Sequence, residues 1–69
     1  MNIEETVSLN IRELRRSKDI TQKELGNKSN ISRQIIIKIE NGSCQTLKNL
    51  QAIAKSLEIE FVELFKERN

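Results

Sequence analysis

Histidine, tyrosine, tryptophan and proline are all absent from these 69 residues, and there is a single cysteine, Cys44. With one thiol and no imidazole, the chain can build neither a zinc site of the usual kind nor an internal disulfide. Acid–base catalysis would fall to carboxylates. The ten acids are scattered, however, and nothing sits as a nucleophile beside a base. Two glycines cannot make a glycine-rich phosphate loop. The longest apolar run, Ile35-Ile36-Ile37, is far short of the ~20 residues that span a bilayer. The expectations are therefore no enzyme, no metal, no cofactor, no evident small-molecule ligand and no membrane span. A lone thiol without a signal peptide fits the reducing cytoplasm. The length allows one domain, residues 1–69, with a modest core.

What is present is concentrated in the middle. Thr21 followed by Glu24 reads as a capping box that opens a helix over Gln22–Ser29. Asn30 suits the one positive-φ position of a tight turn. Ser32 can cap a second helix over Arg33–Asn41, and Gly42 sits where a left-handed residue would end it. Gly26 costs about 1 kcal/mol against alanine inside a helix, so its presence points to a close helix crossing. Two short helices with almost no loop between them form a helix-turn-helix, over about residues 21–41. Such a unit can set the first turn of its second helix into the major groove of DNA. The simpler alternative is an ordinary helical hairpin, which leaves the polar start of the second helix unexplained.

Outside this unit, Val7, Ile11 and Leu14 mark a helix from about Thr6 to Lys18, with Thr6 as its cap. Thr46 is placed to cap a fourth helix with Leu47, Leu50, Ile53, Ala54 and Leu57 on one face. Phe61, Leu64 and Phe65 belong to a short fifth helix ending near Lys66. The fold expected is all-α, a compact bundle of five short helices. Charge is unevenly spread: residues 1–11 carry −2, residues 12–48 carry nine bases against four acids, and residues 49–69 carry −1. The basic excess lies on the helix-turn-helix and its flanks, where a phosphate backbone would need it.

These blocks resemble the phage-repressor type of helix-turn-helix protein (lambda repressor and Cro-like, the XRE family). The resemblance runs from about Val7 to Phe65. It rests on Ile11-Arg12-Glu13-Leu14-Arg15, Thr21-Gln22-Lys23-Glu24-Leu25, Ile31-Ser32-Arg33-Gln34, Ile39-Glu40-Asn41-Gly42 and Ile53-Ala54-Lys55-Ser56-Leu57, in that order and spacing. It implies that Gln22 bonds a DNA phosphate while steadying a side chain on the third helix. Ser32, Arg33 and Gln34 would form the leading turn of the recognition helix, with Lys38 one turn later on the same face. Asn41, Ser43 and Lys48 would touch phosphates, and Arg15 would pair with Glu40 to tie the first helix to the third. The loop before the fourth helix lacks the proline usual in the family. The chemistry of the side chains agrees: glutamine reads adenine bidentately, and arginine reads guanine or takes a phosphate. Ile35 and Ile37 should point outward if Ile36 and Ile39 face the core. Ile35 would then either meet a thymine methyl or stand as an exposed isoleucine.

One unit of this size touches too few base pairs for selectivity in a genome, which a homodimer on a two-fold symmetric, palindromic operator would remedy. Phe61 and Val62 are the candidate interface, unless Phe61 is buried within its own subunit. Ile3 and Leu9 also lie off the first helix's core stripe. The function expected is a sequence-specific transcriptional regulator of double-stranded DNA, such as a repressor or a restriction–modification controller. The alternative is an antitoxin-like interaction module that also binds DNA.

Overall fold

A computed structural model describes residues 1–68 and has no strand among them. Four α-helices, α1 (Ile3–Ser17), α2 (Gln22–Ser29), α3 (Arg33–Ile39) and α4 (Leu47–Ser56), are followed by a closing 3-10 helix, Phe61–Phe65. The all-α expectation holds, with its fifth helix wound as a tighter 3-10 turn.

The helix starts follow local hydrogen-bond chemistry. Thr21 Oγ1 accepts from the Glu24 amide at 3.0 Å, and the Glu24 carboxylate accepts from the Thr21 amide at 2.9 Å. Ser32 and Thr46 accept from the Ile35 and Asn49 amides in the same way. α1, however, begins earlier than Thr6. Asn2 and Glu5 form a second capping box, and Thr6 is buried in the helix instead of capping it.

The ends are equally local. α3 closes on Gly42 at φ +95°, with the Ser43 amide donating to Lys38 O at 2.8 Å and the Gly42 amide to Ile39 O at 3.1 Å. That is a Schellman motif, so the residues after Ile39 tighten instead of continuing to Asn41 as α-helix. α1, α2 and α4 stop on non-glycine residues at positive φ: Asp19, Asn30 and Glu58. Gly26 is required by contact, since a Cβ there would lie 2.5 Å from the Ile31 carbonyl oxygen. The backbone of the turn thus lies directly on α2.

Val7 and Ile11 of α1, Leu25 of α2, Ile36 and Ile39 of α3, Leu50, Ile53, Ala54 and Leu57 at α4, and Leu64 make one core. Leu47 departs from the apolar face predicted for α4 and is 69% exposed. It is the first residue of that helix, where no preceding turn and no neighbouring element lies over it.

Candidate nucleic-acid interface

α3 presents its polar start outward. Ser32, Arg33 and Gln34 are exposed, Lys38 is exposed one turn on, and Asn41 and Ser43 are exposed in the connection to α4. Ile35 does not simply point outward. It is half-buried and packs against the core, lining an open groove of about 500 Å³ with Ile31, Cys44, Lys48 and Asn49. The reason is register: Ile35 lies four residues before the buried Ile39 in α3, and residues at that spacing share a face. Ile37 is half-buried too, without belonging to the core.

Behind this surface lies a buried polar network. Arg15 Nε donates to Glu40 Oε2 at 2.7 Å and Nη2 to Oε1 at 3.0 Å, a bidentate pair whose side chains are 9% and 4% exposed. Arg15 Nη1 also donates to Ile20 O at 2.9 Å, just before the α2 cap. Gln22 Nε2 donates to Glu40 Oε1 at 3.2 Å. One carboxylate therefore gathers α1, the start of α2 and the end of α3. A buried charge pair stands only when its remaining donors and acceptors are also satisfied. Here the extra bonds to Ile20 and Gln22 do much of that.

The connection after α3 is held from below. Ser8 Oγ donates to Ile39 O at 3.1 Å, and Gln45 Nε2 to Ile39 O and Ser8 Oγ, both at 3.0 Å. These bonds fix the backbone that carries Asn41 and Ser43. Pattern reading missed them because they gather around the Ile39 carbonyl, whose position no sequence pattern gives. It also missed Arg12, whose Nε is buried without a hydrogen-bond partner among the described residues, in a cleft shared with Glu40, Asn41 and Gly42. The carboxylates of that cleft are engaged elsewhere, Glu40 by Arg15 and Glu5 by the Asn2 cap. At the far end, Phe61 and Phe65 pack edge to face with ring centroids 5.0 Å apart, and both lean on the core. Val62 beside them is 56% exposed.

Among the described residues, no three histidine, cysteine or acidic side chains are grouped to hold a metal ion. No helix is long and apolar enough to cross a membrane. Two carboxyls are held below their ordinary range. Glu24 is lowered by the Thr21 amide and then by the Thr21 hydroxyl, and Glu63 chiefly by its bond from Lys66.

The helix-turn-helix family pattern (HTH_3) matches residues 11–64, which is most of the chain. No curated protein matches the sequence significantly. Solved structures do. The restriction-modification controller protein C.AhdI from Aeromonas hydrophila is 32% identical, with a TM-score of 0.85 over 90% of this chain and 96% of its own. The wild-type restriction-modification controller protein C.Esp1396I is 38% identical, with a TM-score of 0.83 over 91% of this chain and 83% of its own. A hypothetical transcription factor from Neisseria, at 21% identity and a TM-score of 0.90 over 96% of this chain and 77% of its own, shares the fold. With the turn geometry, the exposed polar start of α3 and this match, the chain belongs to the XRE-type helix-turn-helix family of DNA-binding transcriptional regulators.

Proposed function

We propose that the chain regulates transcription as a homodimer on a two-fold symmetric operator, reading bases with the first turn of α3. The observation that carries this reading is that turn itself. Ser32, Arg33 and Gln34 stand clear of the body, while the other end of their helix is tied to α1 and α2 by the Arg15–Glu40–Gln22 network. Base readout needs a side chain whose helix cannot shift, because a bidentate contact tolerates little misplacement. Arg33 and Gln34 take the base edges. Ser32, Lys38, Asn41, Ser43 and Lys48 face the phosphates on either side, and Ile35 reaches a thymine methyl only with the outer part of its side chain. Gln22 keeps its second amide proton free for a phosphate, and Arg12, whose buried Nε has no hydrogen-bond partner among the described residues, joins these contacts with the outer nitrogens of its guanidinium. The likeness to two restriction-modification controller proteins favours a controller of the same kind. A dimer would form over Phe61 and Val62.

The test begins by selecting bound duplexes from a random pool. Arg33→Ala and Gln34→Ala should each weaken the selected site by about 1–3 kcal/mol and relax preference at different base positions. Arg12→Ala and Lys48→Ala should instead weaken all sequences alike and reduce the salt slope by about one unit each. Parent-like base preferences in both α3 variants would remove the readout role.

A further inference from the structure

Two buried polar groups on α1 reach for different parts of the molecule. They are five residues apart, which turns them roughly 140° from one another around the helix. Arg15 holds Glu40 at the end of α3. Asn10, only 1% exposed, holds the closing segment. Its Nδ2 donates to Leu64 O at 2.8 Å and Lys66 O at 2.7 Å, with a longer contact of 3.4 Å to Glu63 O. Its Oδ1 accepts from Arg68 Nε at 2.9 Å. Arg68 in turn meets the Glu63 carboxylate at 3.4 Å, and Lys66 meets it at 2.7 Å. One amide thus satisfies carbonyls that the end of a 3-10 helix leaves without helical partners. A buried amide bonded on both sides cannot follow a shifted neighbour without leaving polar groups unpaired.

α1 therefore carries two grips on different faces, one in its last turn on the base-reading helix and one at its middle on the segment that carries Phe61 and Val62. In a dimer, the distance and angle between the two reading helices follow from how rigidly each is indexed to the shared face. Changing the half-site separation by one base pair moves a half-site by about 3.4 Å and turns it by about 34°. A rigid dimer cannot follow such a change, and a loosened one can. We propose that Asn10 and Arg68 are positioning residues that set which half-site spacing the protein accepts, acting through Phe61 and Val62. The inference rests on the homodimer reading above.

The measurement compares the selected duplex with versions lengthened or shortened by one base pair between half-sites, for the parent, Asn10→Ala and Arg68→Gln. The parent should favour its own spacing by about tenfold or more, and the variants by only about threefold, with base preference inside each half-site unchanged. A variant that keeps the parent's spacing ratio, or loses affinity equally at all spacings, overturns the proposal. A parent that binds all three spacings equally overturns the dimer reading and this inference with it. Arg68 is exposed, so Arg68→Gln carries the test should melting show that Asn10→Ala does not fold at the assay temperature.

Discussion

Glu40 is the side chain on which most depends. It takes two bonds from Arg15 and one from Gln22 while almost wholly buried. Glu40→Ala would leave the Arg15 guanidinium buried with only Ile20 O as partner, so stability should fall by about 3–5 kcal/mol. Replacing both residues by apolar ones of similar volume should cost less than either single change. Thermal melts of the three variants decide this, and a parent-like melt for Glu40→Ala would end the structural role. This pair was visible in advance only through the family resemblance, since nothing in an arginine and a glutamate 25 positions apart says that they meet. Asn10 was not legible at all. Its partners are backbone carbonyls more than 50 positions away, and backbone leaves no mark in composition.

At the scale of elements, local rules were readable wherever donor and acceptor are near in sequence. Thr21 and Glu24 announced α2, Asn30 announced its left-handed end, and Gly42 announced the end of α3. The same rule applied at Asn2 and Glu5, but the apolar stripe beginning at Val7 drew the expected start to Thr6. Leu47 misled for a related reason, because periodicity does not say where a helix face runs out of neighbours. Two consequences can be measured. Glu58 ends α4 at φ +58°, a conformation that strains any residue with a Cβ. Glu58→Gly should stabilise the fold by about 0.5–1 kcal/mol after the greater freedom of the unfolded glycine is subtracted. A lower melting temperature would contradict this account of the α4 end. The second concerns Glu24, whose folded pKa lies below its ordinary value of 4.5. Between those two values the unfolded chain binds the proton more readily, so stability rises with pH there. The contribution is complete above 4.5 and is lost as pH falls through the depressed folded value. Glu24→Gln should therefore narrow its gap to the parent as acid is added, and a gap that stays constant would show the charge to be irrelevant.

For the molecule as a whole, the composition set the class and the spacing set the bundle, but self-association lies beyond what one chain's pattern can state. Phe61 rests on Phe65 and the core, so changing it would disturb the fold together with any interface. Val62 is the cleaner probe. An exposed valine beside a half-exposed aromatic pair costs about 25 cal/mol per Å² of apolar surface unless something covers it. Val62→Glu should melt like the parent, sediment as a monomer and lose most of its affinity for the selected operator. A parent that sediments as a monomer at high micromolar concentration and binds one subunit per site would remove the dimer.

The Asn10 clamp also sets how this protein can drift in sequence. Its Nδ2 reads the path of the main chain at 63–66 and not the side chains strung along it, while its Oδ1 takes the Arg68 guanidinium. Glu63 and Lys66 can therefore vary widely while the tie persists. Asn10 has almost no substitutes: aspartate offers no donor and would set a charge among carbonyl oxygens, serine is too short, and glutamine is too long. Libraries of functional variants should show the contrast directly. Glu63 and Lys66 should tolerate nearly any residue, whereas Asn10 should tolerate only its own and Arg68, which bonds it, should vary little.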